Sequence, residues 1–164
     1  MENFKRGYVS WAEVPKSQHT VSTPEPGFIL HGRHMVVTLH DQGHPDLKPG
    51  SVLVLPITSA TAEVNKALKE GRNIRPSYVP ISKKDHPFLE QDSYISTGQI
   101  MPLNEEWLDQ YIGNLSNGCM EDVDLQVVTN LGLMDYIMKL STSIYGDLIA
   151  QSEAAAASQL NSNK

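Results

Sequence analysis

Arg33 sits in the run His31-Gly32-Arg33-His34, so a guanidinium stands between two imidazoles. The guanidinium stays charged, whereas imidazole titrates near neutrality. Together these types could grip two oxygens of an oxyanion while a histidine takes or gives a proton. A plainer reading makes Arg33 a solvated or ion-paired charge and leaves His34, His31 and His19 as packed or surface residues. His40 and His44 with Asp41 and Asp46 are metal-ligating types, but Gly43 and Pro45 place them in a turn, and a solvated loop fits them better. Trp11 falls in a strand pattern and Trp107 in a helical one, so both are expected in the core rather than under stacked bases. Cys119 has no second cysteine with which to form a disulfide or a thiolate metal site.

The elements that must position these residues are short. Gly7 to Val14 alternates apolar and polar residues and predicts a half-buried strand ending at Pro15. Pro15 to Gly32 carries three prolines and two glycines and reads as a long loop, of the kind that is often functional. Further strands are expected over His34–Leu39, Ser51–Ile57, Ser77–Ile81 and Ser93–Ser96, with Ala60–Gly71 a short helix or an irregular excursion. Asn104 is a plausible N-cap, predicting a helix through Glu105–Ile112 that Gly113 ends. Met120, Val123, Val127, Leu131 and Met134 recur at steps of three and four, so a longer helix should lay an apolar stripe on the sheet. Five or so strands followed by helices predict an α+β domain with a compact, mainly antiparallel sheet or small barrel over residues 1–146, and a helical or frayed tail over 147–164.

The chain has 164 residues, 40% of them hydrophobic, which suits one domain with one sizeable core. Ser51–Ile57 is among the longest apolar stretches, far short of a bilayer span, so a cytoplasmic, non-membrane protein is expected. A net charge of -6 argues against generic nucleic-acid binding. The average conceals an asymmetry. Residues 1–84 hold 11 Lys or Arg against 7 Asp or Glu, a balance of +4, and residues 85–164 hold 2 against 12, a balance of -10. The basic half could therefore carry an anion site while the acidic half faces solvent or a partner.

Several segments, in order, resemble the MazF/PemK toxins of type II toxin-antitoxin systems. They are Lys5-Arg6-Gly7-Tyr8-Val9-Ser10-Trp11, Gly32-Arg33-His34-Met35-Val36-Val37-Thr38-Leu39, Val54-Leu55-Pro56-Ile57-Thr58-Ser59 and Gln99-Ile100. A closing segment adds Leu115-Ser116, Met120-Glu121-Asp122-Val123-Asp124 and Leu131-Gly132-Leu133. The resemblance implies an SH3-like barrel with C-terminal helices, a homodimer, a cognate antitoxin, and cleavage of single-stranded RNA without a metal or cofactor. In that chemistry the 2'-OH attacks the adjacent phosphate and leaves a cyclic phosphate. It implies that Arg33 and Thr58 are catalytic, and Ser59, Gln99 and Lys16 are expected to contact RNA. Arg33 suits a phosphate that gains negative charge, and the Thr58 hydroxyl can donate to a phosphoryl oxygen.

The sequence departs from the family where proton transfer belongs. Some relatives carry an acidic residue just before the late-strand Gln and a basic one nearby, but here those sites hold Gly98 and Met101. His31, which would share a strand face with Arg33, is therefore the favoured base, with His19 as its partner and His34 as a third candidate. The alternative is a catalytically inactive barrel that binds a protein partner, like the related gyrase poisons, or a phage or plasmid accessory factor. The gyrase poisons end in a short Trp-Gly-Ile signature, which this C-terminus lacks.

Overall fold

A computed structural model describes residues 3–15 and 32–162. Lys16, His19 and His31, three of the residues expected at the site, lie outside the described residues. The chain separates into two compact units, Met1–Val127 and Val128–Lys164. The boundary expected after residue 146 falls inside a helix of the second.

The first unit is built on seven strands: β1 (Tyr8–Val14), β2 (Gly32–Thr38), β3 (Ser51–Thr58), β4 (Tyr78–Ile81), β5 (Ser93–Ser96), β6 (Met101–Asn104) and β7 (Leu108–Asn114). All their pairings are antiparallel. The path runs β4-β5-β3-β2-β1-β7, with β6 also on β3. This is an open path rather than a closed barrel, whereas the expected α+β, antiparallel character holds. β3 is the hub. Val54–Pro56 pair with β2, Ser51–Val54 pair with β6, and Ile57 and Thr58 pair with β5.

The apolar run of β3 reflects burial on both faces. Leu55 and Ile57 belong to one cluster with Val9, Val37, Leu89 and Ile95, whereas Val52 and Val54 belong to another with Phe4, Val36 and Leu103. Consecutive residues point to opposite faces, so Val36-Val37 and Val54-Leu55 each feed both clusters. Helix α2 (Asn117–Asn130) closes the first cluster with Met120, Val123 and Val127, the expected stripe.

The helix expected over Glu105–Ile112 does not form. Glu105–Trp107 make one 3-10 turn, with Asn104 accepting from the Glu106 N–H at 3.1 Å, and Leu108–Asn114 continue as β7. The cap forms as expected, but its helix stops after one turn. Pairing with the open edge of β1 satisfies the backbone of a segment too short to be a stable helix by itself. β6, unassigned from sequence, pairs along β3.

Thr61–Glu70 form helix α1. Its Glu63 is buried, and Arg72 Nη1 donates to Glu63 Oε1 at 2.7 Å while the Arg75 N–H donates to the same oxygen at 3.0 Å. The Arg72 guanidinium, first, and the Arg75 N–H hold the Glu63 carboxyl down at about 2, against the opposing effect of burial. A charged group on a buried face is tolerated because it is paired and hydrogen-bonded.

In the second unit, Gly132 adopts φ 68° and the Leu133 N–H returns to the Val128 carbonyl at 3.0 Å, ending one helix before the next. Helix α3 runs Met134–Ser162. Leu131 is 56% exposed, so the apolar stripe expected to reach it ends earlier. Ile137, Leu140, Ile144 and Leu148 are exposed as well. No described helix is long and apolar enough to cross a membrane.

Candidate functional site

Arg33 is the second residue of β2, opposite Glu13 of β1, and Trp11 is opposite Met35. Arg33 and Trp11 are therefore diagonal neighbours on one face. The guanidinium lies 4.8 Å from the Trp11 ring centroid, and Nη2 donates to Asp109 of β7 at 3.2 Å. Trp11 was expected in the core. It is instead only partly buried, and it carries the arginine on its face.

Thr58 ends β3, where the chain turns out of the sheet into α1. Its Oγ1 accepts from the Ala60 N–H at 3.1 Å, and Ala60 has φ 48°, unique as a positive value for a non-glycine among the described residues. The bond steadies a backbone conformation that a side chain disfavours. Thr58 acts there as an acceptor, so its own proton can be directed elsewhere. Ser59 Oγ bonds Thr61 Oγ1 at 2.8 Å.

These two segments meet. Arg33, His34, Thr58 and Ser59 line one cleft of about 290 Å³ together with Trp11, Met35, Ile57, Glu90, Gln91 and Ser93. The β2–β3 pairing and the β3 terminus bring Arg33 and Thr58 together across 25 positions of sequence. Gln99 is half-buried in the turn after β5, its N–H donating to the Ser96 carbonyl at 3.2 Å, and it is not among the lining residues.

Sequence reasoning missed Glu90 and Gln91. They follow the charged turn between β4 and β5, and only the return of β5 to the end of β3 brings that loop to the cleft.

The other chemically capable residues are structural. His40 is buried, not solvated: its Nε2 accepts from the Leu53 N–H at 2.9 Å and its Nδ1 pairs with the Asp41 carbonyl at 2.8 Å. The described residues contain no group of three metal-ligating side chains. Burial, and then the Asp122 carboxylate, push the Cys119 thiol up to about 11, so it is protonated and unreactive at neutral pH. Trp107 packs against the second core cluster, as expected.

The described residues thus form an antiparallel α+β domain in which a cation of β2 and a strand-end hydroxyl of β3 line one cleft. Residues 5–131 match the family described as PemK-like, MazF-like toxin of type II toxin-antitoxin system, and the chain belongs to that family. MazF from Deinococcus radiodurans is similar in structure, with TM-score 0.55 and 15% identity, covering 80% of this chain and 99% of that one. An endoribonuclease from a mycobacterial species aligns with TM-score 0.54 and 16% identity over 82% of this chain and 96% of its own. A mycobacterial endoribonuclease in complex with its cognate antitoxin aligns with TM-score 0.51 and 17% identity over 80% and 96%. Methionine–tRNA ligases of Aromatoleum aromaticum and an Azoarcus species share 38% and 39% identity over 69 residues. That is 42% of this chain, and the match spans only 8% of the length of those curated relatives.

Proposed function

We propose that this protein is a toxin endoribonuclease that cuts single-stranded RNA by attack of a ribose 2'-OH on the adjacent phosphate, without a metal. The observation that supports this most is the convergence of Arg33 and Thr58 on one cleft. A phosphate under attack by a fifth oxygen gains negative charge, which a permanently charged guanidinium can bind through two N–H groups while a hydroxyl donates to another oxygen. Ser59 lines the same cleft and extends the polar surface available to the RNA backbone.

A cognate antitoxin would silence the cleft, and a homodimer would cover apolar residues such as Ile137 and Ile144, which are exposed along α3. A lone cysteine suits a reducing cytoplasm.

Purified protein incubated with mixed-sequence single-stranded RNA in EDTA should yield discrete fragments with 2',3'-cyclic phosphate ends. Intact RNA under those conditions would turn the reading toward a non-cleaving, partner-binding protein. Fragments that appear only on adding a divalent cation would contradict the metal-free mechanism.

A further inference from the structure

We propose that the Glu90 carboxylate is the proton acceptor for the attacking 2'-hydroxyl. This rests on the ribonuclease reading above and assigns a part it leaves open. The turn after β5 and the first residue of β6 hold Gly98 and Met101, neither of which is ionisable, and Gln99 is not among the cleft-lining residues. Arg33 cannot lose its proton at neutral pH, and Thr58 is too weak an acid to serve. Among the described residues lining the cleft, the remaining ionisable side chains are His34 and Glu90.

Glu90 stands on a loop fastened at several points. Upstream, the His86 N–H donates to the Ser82 carbonyl at 3.0 Å, and His86 Nε2 accepts from the Ser116 N–H at 3.3 Å, just ahead of α2. The Phe88 ring lies over Gly113 of β7, and Leu89 is buried in the first core cluster. Lys83 Nζ donates to the Glu90 carbonyl at 2.9 Å, and the Lys83 N–H donates to Asp92 at 2.8 Å. The residue before Glu90 is thus locked in the core and its own carbonyl is held. An exposed carboxylate on a rigid loop is what a positioned base requires.

A carboxylate beside a phosphate would ordinarily be repelled. Here β2 contributes Arg33 and His34 to the cleft, the loop carries Lys83 with Asp85 and Asp92, Asp109 of β7 engages one side of Arg33, and Glu13 of β1 stands opposite it. In the step itself, O2' forms a bond to phosphorus as its proton passes to a Glu90 oxygen. The bond from phosphorus to O5' breaks, its electron pair stays on O5', and that oxygen takes a proton from His34 in its charged form. The products are a 2',3'-cyclic phosphate and a 5'-hydroxyl. Glu90 and His34 then exchange protons with solvent.

The test is the pH dependence of cleavage for the parent, Glu90→Gln and Glu90→Asp, alongside binding of an uncleavable RNA with a 2'-deoxy substitution at the scissile position. Loss of a general base is expected to lower the Glu90→Gln rate by about 10²- to 10⁴-fold and to flatten the acid limb of the profile. Binding of the 2'-deoxy RNA should stay within about twofold, since the change removes proton transfer rather than backbone contacts. Glu90→Asp should recover part of the rate and keep the acid limb. A Glu90→Gln protein with the parent's rate overturns the inference, as does one that is slowed but retains the parent's acid limb. In either case parental cleavage leaves the ribonuclease reading standing, whereas a parent that cuts no RNA removes both.

Discussion

The guanidinium of Arg33 lies over the indole of Trp11, 4.8 Å from the ring centroid. One residue thus supports the other from an adjacent strand. A cation on an aromatic face at a partly exposed site is worth about 0.5–1 kcal/mol. Trp11→Ala is therefore expected to reduce cleavage by about two- to fivefold through loss of Arg33 placement, and Trp11→Phe should restore most of it. Rates for the two variants at saturating RNA check this. Equal losses in both would mean that the ring does not act through the arginine.

Asp109 holds the same guanidinium at 3.2 Å, and the two side chains are 52% and 61% exposed. Such a pair contributes at most about 1 kcal/mol to the fold, so Asp109→Asn should leave thermal stability nearly unchanged. It also removes a competitor of phosphate for Arg33. RNA binding is expected to tighten by up to about fivefold, the equivalent of that same energy. A titration with uncleavable RNA measures it, and weaker binding would show that Asp109 orients Arg33 instead.

A Cβ on Gly113 would stand 2.2 Å from Phe88 Cδ1, far inside contact distance. Gly113→Ala must displace the ring and with it the loop that carries Glu90. Overpacking of this kind costs about 1–3 kcal/mol. The melting temperature should fall, and Phe88→Ala together with Gly113→Ala should cost less than the sum of the two single changes. Strict additivity would mean that the ring moves aside freely.

Glu63 contributes a pH-dependent part of stability. Its carboxyl is lowered from 4.5 to about 2 in the folded protein, first by the Arg72 side chain and then by the Arg75 N–H. A depressed acid stabilises the fold fully above its unfolded pKa and loses that contribution as pH falls through the folded value. Glu63→Gln should therefore be less stable than the parent at neutral pH, with the gap closing between pH 4.5 and about 2. Urea unfolding at several pH values follows it; a gap independent of pH would place the effect in packing rather than charge.

Much of the first unit was legible from sequence because its signals are local. The strands β1, β2 and β3 announce themselves by alternation or by apolar runs, and the stripe Met120, Val123, Val127 lies where the helical period put it. β7 was not legible. Asn104 and the acids after it look like a helix start, and only the free edge of β1 decides otherwise. The candidate site divides in the same way. Arg33 and Thr58 stand in recognisable local motifs, whereas Glu90 reaches the cleft through the β3–β5 pairing, and the role of Trp11 depends on a diagonal contact between strands. Long-range pairings leave little trace in spacing along the chain.

We propose that Arg33 and Thr58 act on one phosphate in one cleft. The most direct measurement is the initial rate of single-stranded RNA cleavage in EDTA for the parent, Arg33→Ala, Thr58→Val and the double variant. Arg33→Ala should lose at least about tenfold, or about 1.4 kcal/mol of transition-state stabilisation, with the fold intact by circular dichroism. The double variant should lose less than the product of the two single losses, because both groups serve the same transition state. Cleavage by Arg33→Ala at the parent's rate would contradict the account.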